Sequence, residues 1–290
     1  MSFNENAGLD TSQVSSGGGR GKMVIGGGAG LVILVLGLVF GVDTSGLLGS
    51  SDPSEPSGAS TIGARCRTGA DANRDVECRV VGTVNSVQAF WAQALPTYGT
   101  EYSPAQTVLY SGQTASACGT ASNAVGPFYC PTDKQVYIDA SFFDELTSRY
   151  GADDGALAQE YVVAHEYGHH IQDELGLLGA AQNDRQGADS GSVRVELMAD
   201  CLAGVWAHGA STTTDRAGRT LLKPLTAQDI DSALSAAAAV GDDRIQQKAQ
   251  GRVDPESWTH GSAAQRQTWF TTGYRTGNLK ACNTLDAATL

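Results

Sequence analysis

The pentad His165-Glu166-Tyr167-Gly168-His169 restricts the fold of this chain more than any other feature. Two histidines four residues apart point the same way only on an α-helix, where positions i and i+4 lie one above the other. H-E-x-x-H therefore predicts a helix from which both imidazoles reach one zinc ion at about 2.0–2.1 Å. Glu166 flanks that face and can accept a proton from a water whose acidity the ion has raised. An ordinary amphipathic helix with surface histidines is the plain alternative. The chain has only five histidines, however, and the pattern uses two of them with a glutamate in register.

A catalytic zinc site has three protein ligands and one open position, so a third ligand is needed. The metzincin extension would place Gly at 172 and His at 175. Those positions hold Gln172 and Leu175, which excludes it. The next helical stretch, VELMADCLAG, sets Glu196 and Asp200 four apart on one face, opposite its apolar stripe. Glu196 can ligate zinc while Asp200 accepts the free ring N–H of a ligand histidine. A solvated carboxylate pair is the competing reading. His260, just before the last predicted helix, could hydrogen-bond the oxyanion of a tetrahedral intermediate or have a purely structural role. His170 lies about 100° around the helix from His169 and reads as a packed or surface residue. His208 reads as a helix C-terminal residue.

The net charge of -12, with a pI near 4.7, repels phosphate backbones, so nucleic acid is not expected as a partner. A 290-residue chain with 41% hydrophobic residues can bury one substantial core. From Met23 to Val42 no side chain is charged. At about 1.5 Å per residue this segment would cross a hydrocarbon layer roughly 30 Å thick. It is expected to be a transmembrane helix, a cleaved signal peptide being the alternative. Arg20 and Lys22 before it and Asp43 after it orient the N-terminus toward the cytoplasm. Six cysteines agree with an extracytoplasmic domain. The expected pairs are Cys66 with Cys78, Cys118 with Cys130, and Cys201 with Cys282, since the first two close short loops and the third would tie down the C-terminus.

Residues 1–22 read as a disordered cytoplasmic tail, 23–42 as the span, 43–62 as a Ser- and Gly-rich flexible linker, and 63–290 as the folded domain. Apolar periodicity predicts helices over 84–95, 154–175, 192–207, 226–240 and 262–274, and the β-branched run QVYID (135–139) predicts a strand. The fold class expected is α+β: a mostly helical domain with a small sheet, preceded by one transmembrane helix.

Five segments carry a family likeness: GPFYCPTDKQVYIDASFF (126–143), VVAHEYGHHIQ (162–172), ELMADCLAGVWAH (196–208), GDDRIQ (241–246) and HGSAAQRQTWFTTGY (260–274). In these the chain resembles the bacterial neutral zinc metallopeptidases, single-span proteins with an extracytoplasmic catalytic domain. The resemblance implies a zincin-like fold, Zn2+ held by His165, His169 and Glu196, and Glu166 as base. It also implies that QVYID is an edge strand to which an extended substrate adds. The function expected is hydrolysis of a peptide or protein substrate in the cell envelope, at the cell membrane. The alternative is a catalytically silent binding or scaffold protein of the same fold.

Overall fold

The computed structural model describes residues 2–17, 59–122 and 125–290. Strand β1 (Val14–Ser16) comes first, and two short helices, Ala59–Arg65 and Gly69–Ala72, lead to α1 (Val76–Ala94), capped by Asp75, whose side chain accepts the Cys78 N–H. Then follow β2 (Gln106–Tyr110), the hairpin β3 (Gln113–Ser116) and β4 (Gly119–Ser122), β5 (Phe128–Cys130) and β6 (Gln135–Asp139). The rest is helical: α2 (Phe142–Ser148), α3 (Ala156–Glu174), α4 (Gly191–Gly209), α5 (Ala227–Ala239), α6 (Asp242–Gln250) and α7 (Ala263–Thr276).

The four-stranded sheet runs β1-β2-β6-β5, with β1, β2 and β6 parallel and β5 antiparallel to β6. Side chains alternate across it as the pleat requires. Leu109, Tyr129, Val136 and Ile138 enter the main core, while Val108, Tyr110, Phe128 and Tyr137 face a second cluster that includes Ala121 of β4. On the core side, the Tyr167 hydroxyl of α3 lies 3.0 Å from Thr107 Oγ1 of β2. QVYID is therefore an interior strand, not the expected edge. The turn after Cys130, with Lys134 at φ 56°, folds it back against β5, and β5 takes the edge.

α4 and α7 cross at van der Waals contact of their backbones. A Cβ on Gly273 would lie 1.9 Å from the Cys201 carbonyl oxygen, and one on Gly204 would lie 2.1 Å from that of Phe270. Gly168 performs the same service between α3 and α4, where a Cβ would meet Ala199 O at 2.9 Å. Three disulfides join Cys66 to Cys78, Cys118 to Cys130 and Cys201 to Cys282, the pairs expected.

The N-terminal residues correct the expectation of a disordered tail. Phe3 is fully buried, with its ring in the space left by the missing side chain of Gly82. Asn73 binds both its N–H (2.8 Å) and its carbonyl (3.0 Å), Leu222 bridges it, and β1 extends the sheet. Composition conceals this because the anchors Phe3, Ala7 and Val14 are few and stand among Ser, Gly and Asn residues.

The transmembrane part of the expected fold class, and the single-pass localisation with it, are overturned. Among the described residues no helix is long and apolar enough to cross a membrane. The longest helices, α1, α3 and α4, are amphipathic members of the core carrying Glu77 and Arg79, Glu160 and Glu166, and Arg194, Glu196 and Asp200. The expected span, 23–42, lies outside the described residues, as does most of the linker. The described chain on either side of it, 2–17 on one side and 59–122 with 125–290 on the other, packs into one unit.

Candidate metal centre

α3 presents Val162, His165, Glu166 and His169 along one face to a cleft of about 90 Å3. α4 lies beside it and contributes Glu196. Helix α4 starts two residues earlier than an N-cap at Ser192 implies, because the Ser190 hydroxyl accepts the Val193 N–H. The close approach at Gly168 brings the Glu196 carboxylate between the imidazoles: His165 Nε2 is 3.1 Å from Oε2 and His169 Nε2 is 3.5 Å from Oε1. The three donor atoms lie within 4.8 Å of one another. Two imidazole nitrogens and a carboxylate match the donor chemistry that zinc takes in a site with an open position.

Each histidine is oriented through its other nitrogen. His165 Nδ1 lies 2.9 Å from Asp200 Oδ1, where an N–H donor leaves Nε2 free as a ligand. Asp200, fully buried, also accepts from Arg266 Nε (2.8 Å) and Nη2 (2.9 Å) and from the Tyr161 hydroxyl. Burial alone would raise the Asp200 carboxyl, but the Arg266 guanidinium and His165 outweigh it and hold it below the ordinary range. His169 Nδ1 is 2.8 Å from Gln172 Oε1, and the Gln172 amide in turn donates to the Val195 carbonyl of α4 at 2.6 Å.

Glu166, only 7% exposed, borders the same cleft, and burial pushes its carboxyl above the usual value. Among the described residues its carboxylate takes no hydrogen bond. A buried carboxylate left in that condition beside a group of metal donors is typical of a functional site. His260 also lines the cleft. Its Nδ1 is 3.4 Å from Asp242 Oδ1, while Asp242 Oδ2 receives the backbone N–H groups of Thr259 (2.8 Å), His260 (2.7 Å) and Gly261 (3.0 Å). Burial would lower the His260 imidazolium; the carboxylates of Glu196 and Asp242 outweigh it and raise it.

The fold thus brings His165, Glu166, His169, Glu196, Asp200 and His260 to one place. His170 and His208 stay away from it. His170 is buried against Tyr129 and the Ser103 carbonyl, and His208 caps a neighbouring turn through the Tyr274 carbonyl. Sequence reasoning missed Gln172, Arg266 and Asp242. Only Gln172 had a local signal, its i+3 relation to His169.

A family model described as "Putative neutral zinc metallopeptidase" matches residues 4–285. The uncharacterized protein Rv2575 of Mycobacterium tuberculosis is 54% identical over 257 residues, covering 87% of this chain and 86% of its own length. The uncharacterized protein YpfJ of Escherichia coli K12 is 38% identical over 276 residues, covering 92% of this chain and 90% of its own. No solved structure matches. With its family segments threaded through one contiguous domain and its metal-binding residue types converging in the cleft, the chain belongs to this zinc metallopeptidase family.

Proposed function

We propose that the protein is a zinc-dependent peptidase, with His165, His169 and Glu196 as ligands and Glu166 as general base. The observation that carries this reading is the convergence of both Nε2 atoms on the Glu196 carboxylate, with each Nδ1 held by a residue outside the donor set. The ion, when bound, supplies a Lewis acid that acidifies water and polarises a carbonyl. Glu166 takes the proton of the attacking water and delivers it to the leaving amine, so that its own charge is restored at the end of the cycle. His260, anchored by Asp242, donates a hydrogen bond to the oxygen on which negative charge develops. Asp200, backed by Arg266, and Gln172 keep the imidazoles aimed. The substrate is a peptide or protein. Its backbone lies near the start of β5, the edge strand whose Phe128 borders the cleft.

The test is Glu166→Gln on the full chain, scored by zinc content and by cleavage of a mixed peptide library. Zinc is expected to remain while turnover falls by about 10^2–10^4, the usual contribution of a general base. Turnover equal to that of the wild type would sink the mechanism.

A further inference from the structure

The cleft has two chemically different ends. One carries the imidazoles and carboxylates described above. The other is walled by Phe142 of α2, Tyr150, Val162 of α3, Val240 at the end of α5 and Ile245 of α6. No charged side chain stands among these five. Ile245, at 5% exposure, is the main apolar residue that the otherwise very polar helix α6 turns inward. We propose that this end is a specificity pocket for an aliphatic side chain, Val, Ile or Leu, on the residue directly flanking the bond to be cut. The inference rests on the peptidase reading above and adds the substrate class.

Three observations set the occupant. First, position: Val162 precedes Glu166 by one helical turn, about 6 Å along the axis. A side chain attached next to the reacting carbonyl spans that distance, whereas the next residue of an extended peptide projects to the opposite side. Second, chemistry: Arg266, the cation that lines the cleft, is committed to Asp200, so a charged side chain in this end would lose its hydration without gaining an unengaged partner of opposite sign. Third, size: the whole cleft is about 90 Å3 and part of that lies over the metal donors. An apolar cavity of roughly 150 Å3 is one that holds a benzene ring, so the smaller branched aliphatic chains suit this end better than a phenylalanine ring.

The experiment profiles the zinc-loaded full chain on peptides varied at each residue beside the cut bond. Leu, Ile or Val on one side is expected to exceed Phe, Lys and Asp by about tenfold or more in kcat/KM, the discrimination a hydrophobic pocket gives. Ile245→Ala should enlarge the pocket and move the ratio of Phe to Leu upward by about tenfold. Ile245→Phe should fill it and favour Ala or Gly instead, which keeps the test usable if one variant fails to fold. A flat profile, or a profile unmoved by either change, overturns the proposal. If the wild type cuts nothing, that outcome counts against the peptidase reading, and the pocket is then decided by calorimetry. For that measurement Glu166→Gln is titrated with peptides differing only in the flanking residue. Tighter binding of Leu than Phe upholds the pocket, and equal binding refutes it.

Discussion

Replacing Arg266 by Met tests the arrangement behind the metal centre. The guanidinium is 3% exposed and donates to Asp200 Oδ2 at 2.8 Å, Asp200 Oδ1 at 2.9 Å, the Tyr161 hydroxyl at 3.1 Å and the Val240 carbonyl at 3.3 Å. Charge-assisted bonds contribute about 1.5–3 kcal/mol each, but their sum overshoots, because the substitution also removes the cost of burying the guanidinium. What is left is a fully buried Asp200 carboxylate without its compensating cation, and breaking such a pair costs about 3–5 kcal/mol. In a domain of this size that lowers Tm by roughly 6–20 °C. The assay is urea unfolding with disulfides intact and a chelator present, so that zinc binding does not enter the result. Asp200→Asn should cost a similar amount, because it strands the guanidinium instead. The double variant should cost less than the sum by about 2–3 kcal/mol. Additive costs, or a loss under about 1 kcal/mol for Arg266→Met, would refute the claim that the pair acts as one unit.

Three further outcomes follow from single contacts. Gln172→Leu leaves His169 Nδ1 without its acceptor and cuts the tie to the Val195 carbonyl, so zinc affinity measured by competition with a chelator should fall about 10–100-fold, and unchanged affinity would count against this role. Gly168→Ala places a methyl group 2.9 Å from Ala199 O and should destabilise the chain by about 1–3 kcal/mol while weakening zinc binding through displacement of Glu196, both read by thermal unfolding with and without zinc. Burial would raise the Asp215 carboxyl, but the N–H groups of Gly8, Ala217 and Arg219 and the Arg219 side chain hold it down at about 2. A depressed carboxyl stabilises the folded form above its ordinary value near 3.8, and that contribution fades as pH falls toward 2. The protection factor of the Gly8 amide, its exchange measured against the intrinsic rate at each pH, should therefore fall between about pH 4 and pH 2, and in Asp215→Asn it should already be low at neutral pH; equal protection in both proteins would contradict this.

The parts of the site that share a helix were legible in the sequence. His165, Glu166 and His169 obey one period, and Glu196 and Asp200 obey the same period on α4, so each pair specifies its own geometry. Arg266 and Asp242 were not, because their partners lie on other elements: α7 meets Asp200 only through the glycine contact with α4, and Asp242 meets residues 259–261 through the turn after α6. The start of α1 at Val76 was hidden by small Gly82, which the core accepts for a reason of tertiary packing, since it makes room for Phe3. The uncharged run at 23–42 has the composition of a membrane span, but composition says nothing of where the two flanking segments pack. Their common sheet is what the linear pattern could not convey.

The central claim is that His165, His169 and Glu196 hold a single zinc ion. X-ray absorption at the zinc edge on the full chain, with metal content measured on the same sample, tests it most directly. One zinc per chain is expected, with two imidazole nitrogens and oxygen at about 2.0–2.2 Å and no sulfur near 2.3 Å. His169→Ala should lose one imidazole contribution or the metal itself. A full complement of zinc with an unchanged spectrum in His169→Ala, or a zinc-sulfur distance in the wild type, would contradict the account.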